Sequence, residues 1–138
     1  MREILFRGKA INRDNRSYRT DYKNGDWVYG LLESYKNDYS SATMINEDGV
    51  SNIDIDEETL GQYTGIKDKN GIKIFEGDIV KGTITSAWAK EEIVCCIEYQ
   101  KDSFVCIRDN KWKHKLMFAK NIQIIGNIYD NPELLEGI

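Results

Sequence analysis

Apolar and polar residues alternate with a period of two along most of the 138-residue chain. That period marks strands with one dry and one wet face, not amphipathic helices. The run ILFRGKAI (residues 4–11) opens as a strand, and DWVYGLLESY (26–35) follows with aromatic and β-branched residues but no helix-length apolar stripe. SSATMINEDGVSNIDID (40–56) reads as strand, turn, strand, because Asp48-Gly49 supplies the positive φ of a hairpin. Ile53 and Ile55 alternate there with Asp54 and Asp56. A second turn is expected at Asn70-Gly71, after which Ile72 and Ile74 should point the same way. EEIVCCIEYQ, SFVCIRD and KLMFAKNIQIIGNIYD are further strands. Only the tail predicts a helix: Asn131 as its cap, Pro132 in its first turn, Glu133 at the positive dipole end, Leu134 and Leu135 to bury, and Gly137 to stop it.

One phrase occurs twice. Gly25-Asp-Trp-Val-Tyr-Gly30 is echoed 52 positions later by Gly77-Asp-Ile-Val-Lys-Gly82. The first glycine of each phrase allows a left-handed turn, and the aspartate can bond backbone within it. The second glycine allows a strand to bend or bulge. Each phrase is followed by a closing glycine, Gly61 in ETLGQY and Gly126 in QIIGNIY, 36 and 49 residues beyond the opening one. The chain is therefore expected to be mainly β, in two halves of related design, residues 1–66 and 67–138, with one short C-terminal helix. Each half alone buries little surface, and open sheet edges invite pairing between chains. A homo-oligomer is expected, with the N-terminal half taking part in the association.

Composition narrows the class. Hydrophobic residues (41%) and 15 aromatic residues suffice for a core, and 30% charged residues with a net charge of −4 fit a globular chain, not a disordered one. The longest unbroken run of hydrophobic residues, Ile93 to Ile97, is far below the roughly 20 residues that span a bilayer. The charged opening MREILFRGK is unlike a signal peptide, so a cytoplasmic location without membrane attachment is expected. Cys95, Cys96 and Cys106 form no Cys-x-x-Cys pair and read as reduced thiols, with Cys95 and Cys96 on opposite faces of a strand. Neither metal-ligand spacing nor a phosphate-cradling glycine loop occurs, so no metal or cofactor is expected.

Charge is uneven, and this decides where binding surfaces are sought. Residues 1–24 carry a net +4 and residues 26–64 a net −8. Lys111, Trp112, Lys113 and Lys115 interleave cations with an indole, a combination able to meet phosphates and stack on bases. Strand alternation would put the lysines on one face and Trp112 with His114 on the other. Arg13, Arg16 and Arg19 make a second basic stretch, with Tyr18 and Tyr22 among them. His114, the sole histidine, has no nucleophile-and-base context. The acidic run Asp54 to Glu58 reads as a solvated face, and NEDG and DKNG read as turns, not calcium loops. No catalytic residue is assigned.

ETLGQYTGIKDKNGIKIFEGDIVKG, together with MREILFRGKA, GDWVYGLL and IIGNIYDNPELLEGI, closely resembles the YopX family of phage and prophage proteins. These stretches cover about half the chain from end to end. The resemblance implies a mostly β protein with an SH3-type small β-barrel in residues 67–138, encoded by a temperate phage or other mobile element. It implies no enzymatic activity and supplies no catalytic residue. The family pattern passes from RGK to NG-x-WV in fewer residues than the AINRDNRSYRTDYKNG found here, so nothing is carried over for residues 10–25. The resulting expectation is a non-enzymatic protein-interaction or regulatory module with a host or phage protein partner. The alternative is a nucleic-acid-binding small barrel.

Overall fold

The computed structural model describes residues 3–11, 22–36, 41–85, 87–109 and 112–136, with backbone alone at 34–36, 41, 109, 112 and 113. Among these residues the fold is mainly β, as the period of two requires. The strands are β1 (Phe6–Ala10), β2 (Trp27–Lys36), β3 (Ser41–Asn46), β4 (Ile53–Lys67), β5 (Lys73–Phe75), β6 (Asp78–Thr85), β7 (Lys90–Gln100), β8 (Ser103–Asp109), β9 (Trp112–Lys115) and β10 (Ala119–Asn127). Two short 3₁₀ turns span Leu116–Phe118 and Pro132–Leu135. The chain divides into two compact units, Met1–Gln62 and Tyr63–Ile138. The long strand β4 contributes to both, because Tyr63 pairs with Phe75 of β5 in the second unit.

In the first unit the pairing closes on itself. β1 bonds to β2 along one edge and to β4 along the other, and β3 bridges β2 and β4, all antiparallel. Closure removes unpaired edges. Between Arg7↔Gly61 and Lys9↔Asp56, four residues of β4 stand opposite the single Gly8. The buried Thr59 fills this irregularity: its hydroxyl donates to the Asp56 carbonyl at 2.7 Å and accepts the Lys9 N–H at 2.8 Å. Val28, Met44, Ile53 and Ile55 form the core, with Phe6 and Leu60 packed against it. Trp27 lies outside that core. The buried Arg7 places its guanidinium 4.6 Å and Lys9 its ammonium 5.4 Å from the ring centroid, a paired cation–π contact.

The second unit is a five-stranded antiparallel sheet in the order β10-β6-β7-β8-β9, plus the β4–β5 pair. β6 to β9 form a meander, and β10 returns to pair with β6. The pairing does not join β9 to β10 among the described residues, so the sheet does not by itself establish an SH3-type barrel. Val80, Cys95, Ile97, Cys106 and Leu116 are almost completely buried at its centre, with Ile66, Phe104 and Ile124 packed around them. Each buried Val, Ile or Leu among them contributes about 1.5–3 kcal/mol by leaving water.

Three local expectations are corrected. The predicted C-terminal helix is a single 3₁₀ turn, and Asn131 does not cap it; its Oδ1 accepts the Asn127 N–H at 3.2 Å instead. Four residues are too few to repay helix nucleation. Leu116–Phe118, expected within a strand, also form a 3₁₀ turn, burying Leu116 while Met117 and Phe118 face outward. Ile72 and Ile74 do not share a face: Ile72 closes the turn before β5 and is 56% exposed, whereas Ile74 is fully buried. Gly137 lies outside the described residues.

Candidate functional site

The repeated phrase builds the same corner twice. Gly25 and Gly77 adopt φ of 89° and 87°, and the aspartate after each accepts the backbone N–H three residues before it: Lys23 N to Asp26 at 3.0 Å, Phe75 N to Asp78 at 2.7 Å. Val28 and Val80 then enter their respective cores with no exposed surface. A second recurrence is less visible in sequence. Asn46 Oδ1 accepts from Asp48 N and Val50 N, and Asp68 Oδ1 accepts from Asn70 N and Ile72 N, both at offsets of two and four. Gly49 and Gly71 complete these turns at φ of 87° and 81°. NEDGV and DKNGI are thus one turn written twice.

In the second unit these devices converge on a groove. β10 runs from Lys120↔Thr83 to Gln123↔Lys81, so Asn121 and Ile122 together oppose Gly82. Asn121 takes the left-handed conformation, φ 54°, and Ile122 turns into the core. The second glycine of the phrase is needed here, since a Cβ on Gly82 would lie 3.0 Å from the Lys120 carbonyl oxygen. The bulge in turn holds the Asp68 turn. Its Ile122 carbonyl accepts the Lys69 N–H at 2.8 Å, and the Ile124 N–H donates to Asp68 Oδ2 at 3.1 Å.

Asp68 is buried, which pushes its pKa up, but the N–H groups of Ile72, Ile124 and Asn70 and the nearby Lys69 charge outweigh burial. The net effect holds the carboxyl below the ordinary carboxylate range. The turn is therefore fixed on the bulge, and Lys69 and Asn121 stand together at the groove's edge.

The groove has a volume of about 640 Å³. Thr83, Ile93 and Val94 of the β6–β7 ribbon line it, and Lys69, Lys81, Lys90 and Arg108 contribute four cations against the single carboxylate of Glu92. Residues 63–138 as a whole carry eleven lysines and arginines against eleven carboxylates. The lining is thus a local excess of positive charge in a neutral unit, on a chain whose net charge is −4. Such a concavity concentrates anions. Trp88, 95% exposed, stands two residues before Lys90 in the connection between β6 and β7.

Most of the residues expected from sequence to form binding surfaces are not among those whose side chains are described. Arg13, Arg16, Arg19 and Lys111 fall outside the described residues, and Trp112 and Lys113 are placed by backbone only, opposite Asp109 and Ile107. Lys115 is exposed opposite Val105, and His114 is half-buried opposite Cys106. Of the residues whose side chains are described, neither His114 nor Lys115 lines the groove. The groove cations lie up to 39 positions apart, so no local run announces them. The usable sequence signals were the bulge glycine Gly82 and the Asp68 turn.

Two antiparallel sheets define the class, a small mainly β protein, and its second unit carries a groove lined by four cations and one carboxylate. The chain belongs to the YopX protein family, whose pattern it matches over residues 15–136. It is similar to protein EF1440 from Enterococcus faecalis, whose crystal structure superposes with a TM-score of 0.53 at 26% identity, covering 97% of this chain and 99% of that one. No functionally curated protein matches it in sequence. No described helix is long and apolar enough to cross a membrane.

Proposed function

We propose that this protein is a non-enzymatic regulatory binding module of a phage or prophage, acting in the bacterial cytoplasm, and that its second unit meets a densely anionic partner through the groove. The observation that carries this reading is the clustering of Lys69, Lys81, Lys90 and Arg108 around one concavity in a unit with no net charge. Cations gathered from four separate elements cost mutual repulsion in the free protein, and an anionic ligand relieves it. Retention on immobilised heparin at low salt tests it. A protein of pI 5.1 should pass through at neutral pH unless a local basic site holds it, and Lys81→Glu with Lys90→Glu should abolish retention. Flow-through of the unaltered protein defeats the reading.

A protein partner is favoured by a different observation. β9 is an end strand of its sheet, and the 3₁₀ turn after it presents Met117 and Phe118, 64% and 60% exposed. An added strand with an apolar anchor beside it is a recurrent recognition mode. The same edge would serve a second copy of the chain, giving the homo-oligomer. Light scattering distinguishes these cases: a mass of one chain that stays constant with concentration leaves the edge to a foreign partner, captured by crosslinking and mass spectrometry.

A further inference from the structure

We infer that the groove takes single-stranded nucleic acid, with Trp88 stacking on a base while the groove cations neutralise phosphates; this rests on the anionic-partner reading above. The relevant juxtaposition is in the β6–β7 hairpin. Thr85 and Lys90 are its last register partners, so the connection carrying Trp88 projects beyond the paired ribbon. An indole 95% exposed to water is an unusual use of the largest apolar side chain, which proteins ordinarily bury. Lys90 leads from that tip into the groove, where Lys81 stands on the neighbouring strand and Lys69 and Arg108 complete the lining.

A single strand presents what this arrangement can use. Its phosphates suit cations gathered in a recess, and its unpaired bases offer π-faces to an exposed aromatic two residues before the lining residue Lys90. A duplex hides those faces inside its stack, leaving Trp88 nothing to stack upon. An acidic peptide would satisfy the lysines but gain nothing comparable from the indole. The volume of about 640 Å³ lies within the range that encloses small organic ligands, which suits one or two nucleotides of a strand that continues past the site. Thr83 and Asn121 at the lining add neutral hydrogen-bonding groups; with stacking and phosphate contacts carrying the affinity, only a modest sequence preference is expected.

Fluorescence anisotropy with a 5′-labelled oligothymidylate of about 15 nucleotides, within the footprint of small strand-binding domains, tests this on the full chain. A duplex of equal length and a labelled polyglutamate serve as comparisons. The single strand should bind most tightly. Affinity should fall with salt at roughly 0.7 logarithmic units per logarithmic unit for each phosphate neutralised, hence up to about 3 for four cations. Trp88→Ala should weaken binding about 5- to 150-fold with the salt slope unchanged, and Trp88→Phe should restore part of the loss. Lys81→Ala should reduce the slope by about 0.7. Because Trp88 lies outside both cores, circular dichroism and the melting midpoint should not change in its variants. Heparin retention with equal binding of duplex and single strand, preferred binding of polyglutamate, or no effect of Trp88→Ala overturns the inference and leaves the anionic-partner reading standing. Loss of heparin retention and oligonucleotide binding together removes both.

Discussion

The carboxylate of Asp78 accepts the backbone N–H of Phe75 at 2.7 Å inside the second unit, where Asp78 is only 2% exposed. Its counterpart Asp26 makes the same bond to Lys23 at the surface. The geometry is shared but the surroundings are not, and this gives a clean comparison. Removing Asp78 strands a buried N–H, which costs about 1–3 kcal/mol, whereas water can replace Asp26. Asp78→Ala should therefore lower stability to urea by that amount or more, and Asp26→Ala by under about 1 kcal/mol. Equal losses at the two positions would mean that burial does not set the strength of this corner.

The glycines of the same corners separate backbone strain from crowding. Both hold positive φ, so alanine costs about 1–2 kcal/mol at each from backbone alone. A Cβ at Gly25 meets open space, but one at Gly77 would lie 2.9 Å from Tyr129 Cε2. Gly77→Ala should be the more damaging, and Tyr129→Ala should narrow the gap between the two glycine variants. Differential scanning calorimetry would read both effects.

Asp68 makes the second unit sensitive to acid. Its carboxyl is held below its ordinary range by N–H donors despite burial. A depressed folded-state pKa stabilises the fold above the unfolded value, near 3.9, and that contribution is lost as pH falls through the lower folded value. Asp68→Asn keeps an acceptor oxygen but removes the charge. The variant should be less stable than the parent at pH 7, and the difference should shrink as pH drops below about 4. Urea midpoints measured from pH 7 to pH 2 test this; a constant difference would assign the loss to packing.

Much of the local architecture could be read from the chain, and the places where reading stopped have physical causes. The corners at Gly25 and Gly77 were legible because left-handed φ selects glycine and a side-chain acceptor selects aspartate. The dry face of Ile53 and Ile55 was legible because strand period is fixed by the pleat. What the echo could not convey is topology. In the first unit the phrase starts β2, and closure comes from β1, which lies before it; in the second the phrase starts β6, and β10 returns to pair with it. A corner motif specifies a turn and the first residues of a strand, not the strand's partner. The groove escaped for a related reason. Lys69, Lys81, Lys90 and Arg108 are assembled by register and by the Asn121 bulge, whereas a reading along the chain favours adjacent cations such as Lys113 and Lys115.

The three cysteines offer a final measurement of how closed the second core is. Cys95 and Cys106 are fully buried, and Cys96, its neighbour on the opposite face of β7, is half-buried. The Cys95 thiol is pushed up by its hydrogen bond to Cys106 and by burial. The Cys96 thiol is pushed up to about 11, first by burial and then by Glu98 and Cys106. At pH 8 such a thiol is about 200-fold less ionised than a free cysteine of pKa near 8.5, and the greater nucleophilicity of the more basic thiolate recovers only about tenfold. Ellman's reagent should accordingly titrate no thiol rapidly in the native protein. One should react slowly, at least about tenfold below the free-cysteine rate, and all three should react in denaturant. Cys96→Ser should abolish the slow native phase. Rapid reaction of two thiols would show instead that the core of the second unit opens readily, because Cys95 and Cys106 are both buried within it.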